Sequence, residues 1–283
     1  MKVNDYVNLA FGLLFLWAAI GPCVSEAFMQ SPQSAAGSIT GGVITVLHDN
    51  NRLNPGLRAR WGFACLVEGF EKSILFDTGG DSSVLLHNMQ QLGIETAKVE
   101  VIILSHNHSD HTGGVGGFLL EKSDVSIYLP NSFPGSFKRM LRSLGADVKE
   151  ISGAKKLFSG VYTTGELGKD LIEHSLVLET DSGLVIITGC AHPGVVDIIR
   201  KAKEVSGENN VYLVMGGFHL AGESAARIKS ILKEFEHLSV QKVAPCHCSG
   251  DEARRLFRQA YGANYIECCV GKRISFPLHH AMQ

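Results

Sequence analysis

Four potential metal ligands lie within six consecutive residues of the segment SHNHSDHTGG, residues 105–114. This segment directly follows the apolar run 101–104, which has the composition of a buried strand. Imidazole nitrogens and carboxylate oxygens bind divalent metals, and a strand fixes the point where such a loop begins. An HxHxDH spacing this dense is not expected of an ordinary polar surface loop, so it predicts a metal site. The candidate ligands are His106, His108, Asp110 and His111.

Three more histidines occupy similar positions later in the chain, namely His192, His219 and His247. Each follows a predicted buried strand that ends in glycine or another small residue, in the segments GCAHPG, GGFHL and CHCSG. Functional groups collect at the carboxyl ends of strands in α/β folds, so we expect these side chains to converge with the HxHxDH loop. The other histidines lack this placement and are predicted to be structural or exposed: His48, His87, His174, His237, His279 and His280.

Asp77 opens the turn DTGG directly after the predicted strand 72–76. A carboxylate at this point is consistent with a simple turn residue. It is equally consistent with a partner behind the metal ligands, which would orient a ligand histidine through the ring nitrogen that faces away from the metal. Position alone favours neither interpretation.

Hydrophobic periodicity divides the rest of the chain into alternating strands and helices, which is typical of an α/β protein. Strands are predicted at residues 42–48, 61–69, 72–76, 99–105, 125–129, 161–164, 175–179, 183–188, 211–215, 240–244 and 263–270. Helices are predicted at residues 81–92, 137–144, 195–202, 225–235 and 249–260, the last with Ser249 as its N-cap.

Composition limits the classes of function. The chain has 283 residues, of which 45% are hydrophobic and 19% are charged, and this balance is typical of a well-packed globular protein. Its formal net charge of −2 gives no positive field that would recruit nucleic acid or an anionic membrane. We therefore expect a small-molecule substrate and no nucleic-acid partner, while the oligomeric state is left open.

The N-terminus has the features of an export signal. Residues 7–20 form an apolar run without charge, Lys2 precedes it, and the SEA tripeptide at residues 25–27 resembles a cleavage site. We expect a signal peptide at residues 1–27, a flexible leader at residues 28–40, and a periplasmic or extracellular protein without a stable membrane span after cleavage. The alternative is an uncleaved N-terminal anchor, although the run is shorter than the roughly 20 residues that span a bilayer.

Six cysteines follow the predicted signal peptide, and an even number in an exported protein is compatible with disulfides. The spacing makes local bridges awkward, because two of the cysteines flank His247 and two others are adjacent in sequence. Their connectivity is left open. The six are Cys65, Cys190, Cys246, Cys248, Cys268 and Cys269.

The HxHxDH loop, the turn at Asp77, and the histidines at 192 and 247 together resemble the metallo-β-lactamase superfamily across residues 40–275. This resemblance implies a four-layer αββα sandwich of two mixed sheets with outer helices. It would form a single domain at residues 41–276, followed by a tail at residues 277–283. The segments GCAHPG, GGFHL and CHCSG resemble a branch named after dihydropterin-(ribofuranosyl)aminobenzene-phosphate synthase.

The resemblance also implies two groups of ligands. One metal would take His106, His108 and His192, and a second would take Asp110, His111 and His247. Many members add an acidic bridging ligand, but the corresponding strand here ends at His219 without an acid. Either His219 takes part, or only a hydroxide bridges the metals, or the second site is weak. The nitrogen and oxygen donors suit one or two Zn²⁺ ions, with Fe or Mn also possible.

These ligands imply a hydrolase that uses a metal-activated hydroxide on an ester, lactone, amide or phosphoester of a small molecule, and the predicted signal peptide implies that it is exported. Asp110 is the catalytic candidate, because its carboxylate could bind metal and also steer the proton of the nucleophile. The first alternative is a transferase of the synthase type named above, with which export agrees poorly. Two further alternatives are a β-lactamase and a metal-binding sensor that has lost turnover.

Overall fold

Two mixed β-sheets pack face to face in the computed structural model, which describes residues 41–278. The first sheet contains β1 (Gly41–His48), β2 (Ala64–Glu68), β3 (Ile74–Phe76), β4 (Val101–Ile103), β5 (Ser126–Pro130), β6 (Asp147–Ile151) and β13 (Arg273–Pro277). Its strand order is β13-β1-β2-β3-β4-β5-β6. The pairs from β13 to β3 are antiparallel, and the pairs from β3 to β6 are parallel.

The second sheet is formed by the later half of the chain. It contains β7 (Lys155–Phe158), β8 (Val161–Thr163), β9 (Leu176–Thr180), β10 (Gly183–Thr188), β11 (Val211–Gly217) and β12 (Val240–Cys246). Its strand order is β12-β11-β10-β9-β8-β7, with parallel pairs between β10 and β12 and antiparallel pairs elsewhere.

Seven α-helices connect these strands in the described part of the chain. They are α1 (Ser82–Gln91), α2 (Ser109–Thr112), α3 (Val115–Glu121), α4 (Gly135–Ser143), α5 (Val195–Ser206), α6 (Ala225–His237) and α7 (Asp251–Tyr261). Short 3₁₀ turns add Thr96–Lys98, His247–Ser249 and Gly262–Asn264. Asp81 caps α1, because its side chain accepts a hydrogen bond from the backbone N–H of Ser83.

Strand β10 shows how the layers form. It is buried along its whole length because both of its faces are covered, and its central residues are all apolar. Val185 and Ile187 enter the core between the sheets, whereas Leu184 and Ile186 pack against the residues of α5 to α7. A third buried cluster joins the outer face of the first sheet to α1, α3 and α4. The predicted four-layer αββα sandwich of two mixed sheets is therefore confirmed.

The last strand differs from its prediction. Residues 263–270 form a 3₁₀ turn and isolated bridges, and the strand is β13, which pairs antiparallel with β1. Ile274 and Phe276 are buried between exposed residues, so the alternation of a half-buried edge strand lies after the apolar run and not within it. Pro277, which was assigned to the tail, is the last residue of this strand.

Two strands and one helix start were also missed. Strands β6 and β7 lie at sheet edges and are rich in charged residues, so they lack the apolar alternation by which strands were predicted. Helix α7 begins after Gly250, not after Ser249. The Ser249 hydroxyl instead donates to the Cys246 carbonyl and accepts from the Phe218 N–H, which ties the loop after β12 to the loop after β11.

The predicted signal peptide, the whole leader and residues 279–283 of the tail lie outside the described residues. Within residues 41–278, no helix has both the length and the apolar character needed to cross a membrane.

Candidate metal centre

The candidate ligands lie at the carboxyl ends of neighbouring strands. The HxHxDH loop follows β4, and His192, His219 and His247 follow β10, β11 and β12. Parallel strands present their carboxyl ends at one edge of a sheet, and the two stacked sheets bring both edges together. Side chains from both halves of the chain therefore meet in one place.

The first group of ligand atoms comes from His106, His108 and His192, whose ligand atoms all lie within 4.8 Å of one another. His106 Nε2 is 3.1 Å from His108 Nδ1. The ring of His192 is 4.7 Å from that of His106 and 5.0 Å from that of His108, measured between centroids. His106 is buried, whereas the other two rings reach the surface, so this group faces solvent on one side.

The second group comes from Asp110, His111 and His247, and its ligand atoms also lie within 4.8 Å of one another. His247 Nε2 is 3.2 Å from Asp110 Oδ2 and 3.2 Å from His111 Nε2. His111 is completely buried, and the Asp110 side chain is 21% exposed. The six residues named from the sequence thus form two compact groups.

Asp77 lies behind these ligands and orients them. Its carboxylate accepts hydrogen bonds from the Ser105 N–H, the Ser105 hydroxyl and His111 Nδ1, each at 2.7 Å. The Ser105 oxygen in turn lies 2.9 Å from His106 Nδ1. Burial raises the pKa of Asp77 to about 7. Asp77 thus contacts one candidate ligand directly and a second one through Ser105.

Glu173 lies behind His192 and accepts a hydrogen bond from its ring. This residue was missed in the sequence analysis because no motif surrounds it. One of its oxygens accepts from the N–H groups of Cys190 and Ala191 at 2.9 Å. The other accepts from the His192 N–H at 3.0 Å and from His192 Nδ1 at 2.8 Å. Complete burial alone would raise the pKa of Glu173, but the hydrogen bonds and nearby His106 hold it below its ordinary value.

The loop between β1 and β2 supports His247 and was also missed. Asp49 accepts a hydrogen bond from the His247 N–H at 3.0 Å, and Asn50 Oδ1 lies 3.4 Å from His247 Nδ1. The ring of Trp61 is 4.7 Å from that of His247, and Trp61 is 56% exposed. His48 is buried beside them, with Nε2 3.3 Å from the Trp61 carbonyl, and burial lowers its pKa to about 4. These contacts make Trp61 an exposed aromatic edge of the site.

Backbone strain is concentrated at the same place. Five described non-glycine residues have positive φ angles, and four of them belong to the site: Asp77, Ala191, His219 and His247. Such conformations cost on the order of 1–3 kcal/mol each and persist where surrounding contacts enforce them. Here the enforcing contacts include the hydrogen bonds of Asp77 and Glu173.

The donor set fits a divalent metal. Four of the candidate ligand histidines donate the N–H of one ring nitrogen to a neighbouring oxygen, which leaves a lone pair on the other ring nitrogen. The pairs are His111 with Asp77, His192 with Glu173, His106 with Ser105 and His247 with Asn50. In the second group, two such lone pairs and a carboxylate oxygen face one another with no proton donor among them. A cation between them removes the repulsion that this arrangement creates.

Electrostatics agree with neutral ligands. Burial and then the neighbouring histidine lower the pKa of both His106 and His111 to about 3. Partial burial of Asp110 by itself raises its pKa, but His247 and His111 together hold it below its ordinary value. His106 and His111 are therefore uncharged and Asp110 is ionised, which are the forms that bind metal.

His219 lies next to the first group. Its ring is 4.4 Å from that of His192, and its ligand atom groups with those of Cys190 and His192 within 4.8 Å. Cys190 Sγ is also 3.2 Å from His111 Nε2. Both cysteines beside the motifs, Cys190 and Cys248, are buried and free, as are the other four described cysteines. In the sequence, the only sign that these cysteines belong to the site was their position beside the candidate ligand histidines in GCAHPG and CHCSG.

Two clefts open beside His192. The first has a volume of about 490 Å³ and extends past His219 to Arg200 and Arg227. The second, of about 590 Å³, shares His192 and is lined by the segment 167–171. Pockets of this size hold small molecules.

Comparisons with known proteins agree with this geometry. The model of the metallo-beta-lactamase superfamily matches residues 62–201. The chain is 30% identical over 282 residues to 7,8-dihydropterin-6-methyl-4-(beta-D-ribofuranosyl)-aminobenzene-5'-phosphate synthase of Methanocaldococcus jannaschii, covering 83% of this chain and 96% of the relative. It is 26% identical over 264 residues to an uncharacterized protein of the same organism, covering 82% and 99%.

Solved structures give the same result. Tm1679, a metal-dependent hydrolase of the beta-lactamase superfamily, matches with a TM-score of 0.70 and 29% identity, covering 82% of this chain and 98% of that one. The metallo-beta-lactamase fold protein YhfI from Bacillus subtilis matches with a TM-score of 0.63 at 14% identity, covering 83% and 99%, and shares the fold alone. The chain belongs to the metallo-beta-lactamase superfamily.

Proposed function

We propose that this protein is a metal-dependent hydrolase of a small molecule. The observation that carries the proposal is the pair of ligand groups, His106, His108 and His192 beside Asp110, His111 and His247. Each group combines oriented imidazoles, and the second adds a carboxylate that stays ionised. Superfamily membership supports hydrolysis as the general reaction type.

The six side chains would hold a divalent ion, which when bound would supply an activated water and polarise an acceptor oxygen of the substrate. Other side chains prepare the site for this chemistry. Asp77 and Glu173 hold the rings of His111 and His192 so that their free nitrogens face inward. Asp110, which is partly exposed, has a second carboxylate oxygen that can accept the proton of the attacking water.

The clefts beside His192 support a small-molecule substrate. They begin at the exposed side of the first ligand group and are lined by side chains of both signs of charge, including Arg200, Arg227 and Asp197. A net charge of −2 gives no general attraction for nucleic acid. An ester, lactone, amide or phosphoester with an electrophilic centre at the metal site and its remaining part in a cleft fits this shape.

A second candidate is transfer chemistry of the synthase type. It is favoured by one observation, the 30% identity to the synthase of M. jannaschii across nearly the whole of that relative. The two candidates differ in their products. A hydrolase adds water and yields two fragments, whereas a synthase joins two reactants and releases a leaving group.

The experiment is a reaction panel run on one protein sample whose Zn, Fe and Mn contents are measured. The panel contains a phosphodiester, a lactone, a thioester, a β-lactam and the two reactants of the synthase. We expect at least one metal ion per chain and turnover of a hydrolysable compound. Selective turnover of the β-lactam would identify a β-lactamase, and joining of the synthase reactants would replace the hydrolase proposal. Ligand binding without turnover of any compound would indicate a sensor.

The variant His108→Ala tests the metal dependence, with His237→Ala at the exposed end of α6 as the matched control. Loss of a ligand is expected to lower activity at least about 100-fold, since changes in residues behind the ligands already cost about 10–100-fold. The control is expected to keep both metal and activity. Full metal content and full activity in His108→Ala would overturn the proposal.

We also propose that the protein is exported, on the basis of the apolar run at residues 7–20 and the SEA tripeptide after it. N-terminal sequencing of the protein recovered outside the cytoplasm is expected to begin near residue 28. A secreted form that begins at Met1 would contradict cleavage. Retention of the whole protein in the membrane fraction would instead support an uncleaved anchor.

A further inference from the structure

The thiol of Cys190 lies between the two groups of ligand atoms. Its Sγ forms one compact set with ligand atoms of His106 and His111, and another with those of His192 and His219. A third set joins it to ligand atoms of His247 and Cys248, and in each set all ligand atoms lie within 4.8 Å of one another. One sulfur is therefore close to ligand nitrogens from both groups.

The backbone holds this sulfur in place. The N–H groups of Cys190, Ala191 and His192 all bind the carboxylate of Glu173, and Ala191 between the cysteine and the histidine has φ 62°. This turn fixes Cys190 and His192 as one unit. The Cys190 side chain is only 3% exposed, so the sulfur faces the site interior and not bulk solvent.

Gly217 provides the room for this arrangement. A Cβ at this position would lie 2.6 Å from Cys248 Sγ and 3.1 Å from Cys190 Cα. The end of β11 therefore carries no side chain where the two cysteines approach it. Residues 211–222 also contain no aspartate or glutamate, so this strand supplies no carboxylate to the space between the ligand groups.

The two nearby thiols contact each other, and each also has a further partner. Cys248 Sγ lies 3.6 Å from the Cys190 carbonyl oxygen, to which its S–H donates. Cys190 Sγ instead lies 3.2 Å from His111 Nε2, the nitrogen that Asp77 leaves with a lone pair by accepting the proton on Nδ1. The Cys190 sulfur thus reaches a candidate ligand of the second group, whereas Cys248 contacts the Cys190 carbonyl and the side chains of Cys190 and His219.

We propose that Cys190 is a metal ligand and that its thiolate is shared between the two ligand groups. This inference rests on the proposed metal site and adds a soft donor to its nitrogen and oxygen set. On metal binding the S–H bond breaks, a metal–sulfur bond forms and the proton passes to solvent. A thiolate favours Zn²⁺ over the harder Mn²⁺, so the inference also narrows the choice of metal.

The first test is X-ray absorption at the metal edge of the reduced, zinc-loaded wild-type protein. We expect a sulfur neighbour at about 2.3 Å beside nitrogen and oxygen neighbours. This measurement needs no variant, so it holds even if Cys190 proves necessary for folding. A shell of nitrogen and oxygen alone would overturn the inference while leaving the metal site intact. Failure to bind any metal would overturn the proposed function together with it.

The second test assigns the sulfur with Co²⁺ in place of zinc. A thiolate bound to Co²⁺ gives a charge-transfer band in the near ultraviolet, which we expect in the wild type and not in Cys190→Ser. Cys248→Ser and Cys65→Ser are matched controls, since one is a neighbouring thiol and the other a buried thiol of β2, and both are expected to keep the band. A band that persists in Cys190→Ser but disappears in Cys248→Ser would overturn the assignment, as would a Cys190–Cys248 disulfide in the metal-loaded protein.

Discussion

Asp77 Oδ2 lies 2.7 Å from His111 Nδ1, and both side chains are completely buried although they are 34 residues apart. The bond joins the end of β3 to the HxHxDH loop after β4. It fixes the ring of His111 with the opposite nitrogen toward His247. The arrangement of the second ligand group therefore depends on a residue that is not itself in either group.

Replacing Asp77 with asparagine is expected to weaken metal binding by about 10–100-fold, because the orienting partner keeps its size but loses its charge. Circular dichroism should show an intact fold, and competition with a chromophoric chelator should give the affinity. Asp124→Asn is the matched control, since Asp124 is an exposed aspartate paired with Lys122. Equal affinities of Asp77→Asn and wild type would refute the orienting role.

The variant Glu173→Gln is expected to reduce the free energy of unfolding by about 3 kcal/mol, since a buried group left without a partner costs about 1–3 kcal/mol. Glutamate accepts four hydrogen bonds here, and the glutamine amide would place N–H groups against N–H donors. Urea denaturation of the metal-free proteins measures the change. Glu208→Gln is the control, because Glu208 accepts one exposed hydrogen bond. A loss no larger than in the control would contradict the role assigned to Glu173.

Removing the metal is expected to destabilise the protein. A ligand at 100 times its Kd adds about 2.7 kcal/mol, and the converging lone pairs of the second group lose their cation on chelation. Thermal unfolding with zinc and with a chelator measures the difference. Asp110→Asn should show a smaller difference in thermal unfolding between the two conditions. Asp147 is the exposed first residue of β6, so Asp147→Asn should show the same difference as the wild type. An equal effect of zinc on Asp110→Asn would show that Asp110 is not a ligand.

Burial of His174, which is not one of the candidate ligands, predicts a pH dependence of the free energy of unfolding. Its ring accepts from Thr163 and donates to the Leu104 carbonyl, and burial lowers its pKa from 6.5 to about 4. The His174 ring binds a proton more readily in the unfolded chain than in the folded protein. The contribution of neutral His174 to the free energy of unfolding is therefore complete above about pH 6.5 and is lost as the pH falls towards 4.

The test compares the free energy of unfolding of metal-free wild type and His174→Gln across this range. Glutamine can make the same two hydrogen bonds but does not titrate. The free energy of unfolding of His174→Gln should therefore fall less steeply with acid than that of the wild type, and the two slopes should differ by up to about 1.4 kcal/mol per pH unit. His237→Gln, at an exposed site, should follow the wild type. Parallel curves for His174→Gln and wild type would rule out this contribution.

Trp61 is expected to contact substrate. It is 56% exposed beside His247, so its indole offers an apolar face at the edge of the site. With an aromatic substrate, Trp61→Ala should raise KM by about 2–10-fold, from a ring contact of about 0.5–1.5 kcal/mol, without loss of metal. Leu53→Ala removes another exposed apolar side chain from the same loop and is the control. Equal KM values for both variants would exclude a specific contact of Trp61.

The sequence was informative where the signal is local. The spacing of the HxHxDH loop and the apolar runs of β4, β10, β11 and β12 depend on neighbouring residues, and they led to the fold and the superfamily. The edge strands β6 and β7 were missed because their charged segments carry little apolar periodicity. Strand β13 was misplaced because its short alternation follows a longer apolar run that was taken for the strand.

Only the tertiary structure decided which side chains meet. Nothing in the sequence around Glu173 distinguishes it from a surface acid, yet the packing of the sheets buries it against the Cys190–His192 turn. Asp77 had two equally acceptable roles until the distance to His111 was known. The sequence by itself determined that candidate metal ligands stand at strand ends. The stacking of two sheets determined their partners and brought Cys190 between the ligand groups, because contacts between distant segments leave no mark on spacing along the chain.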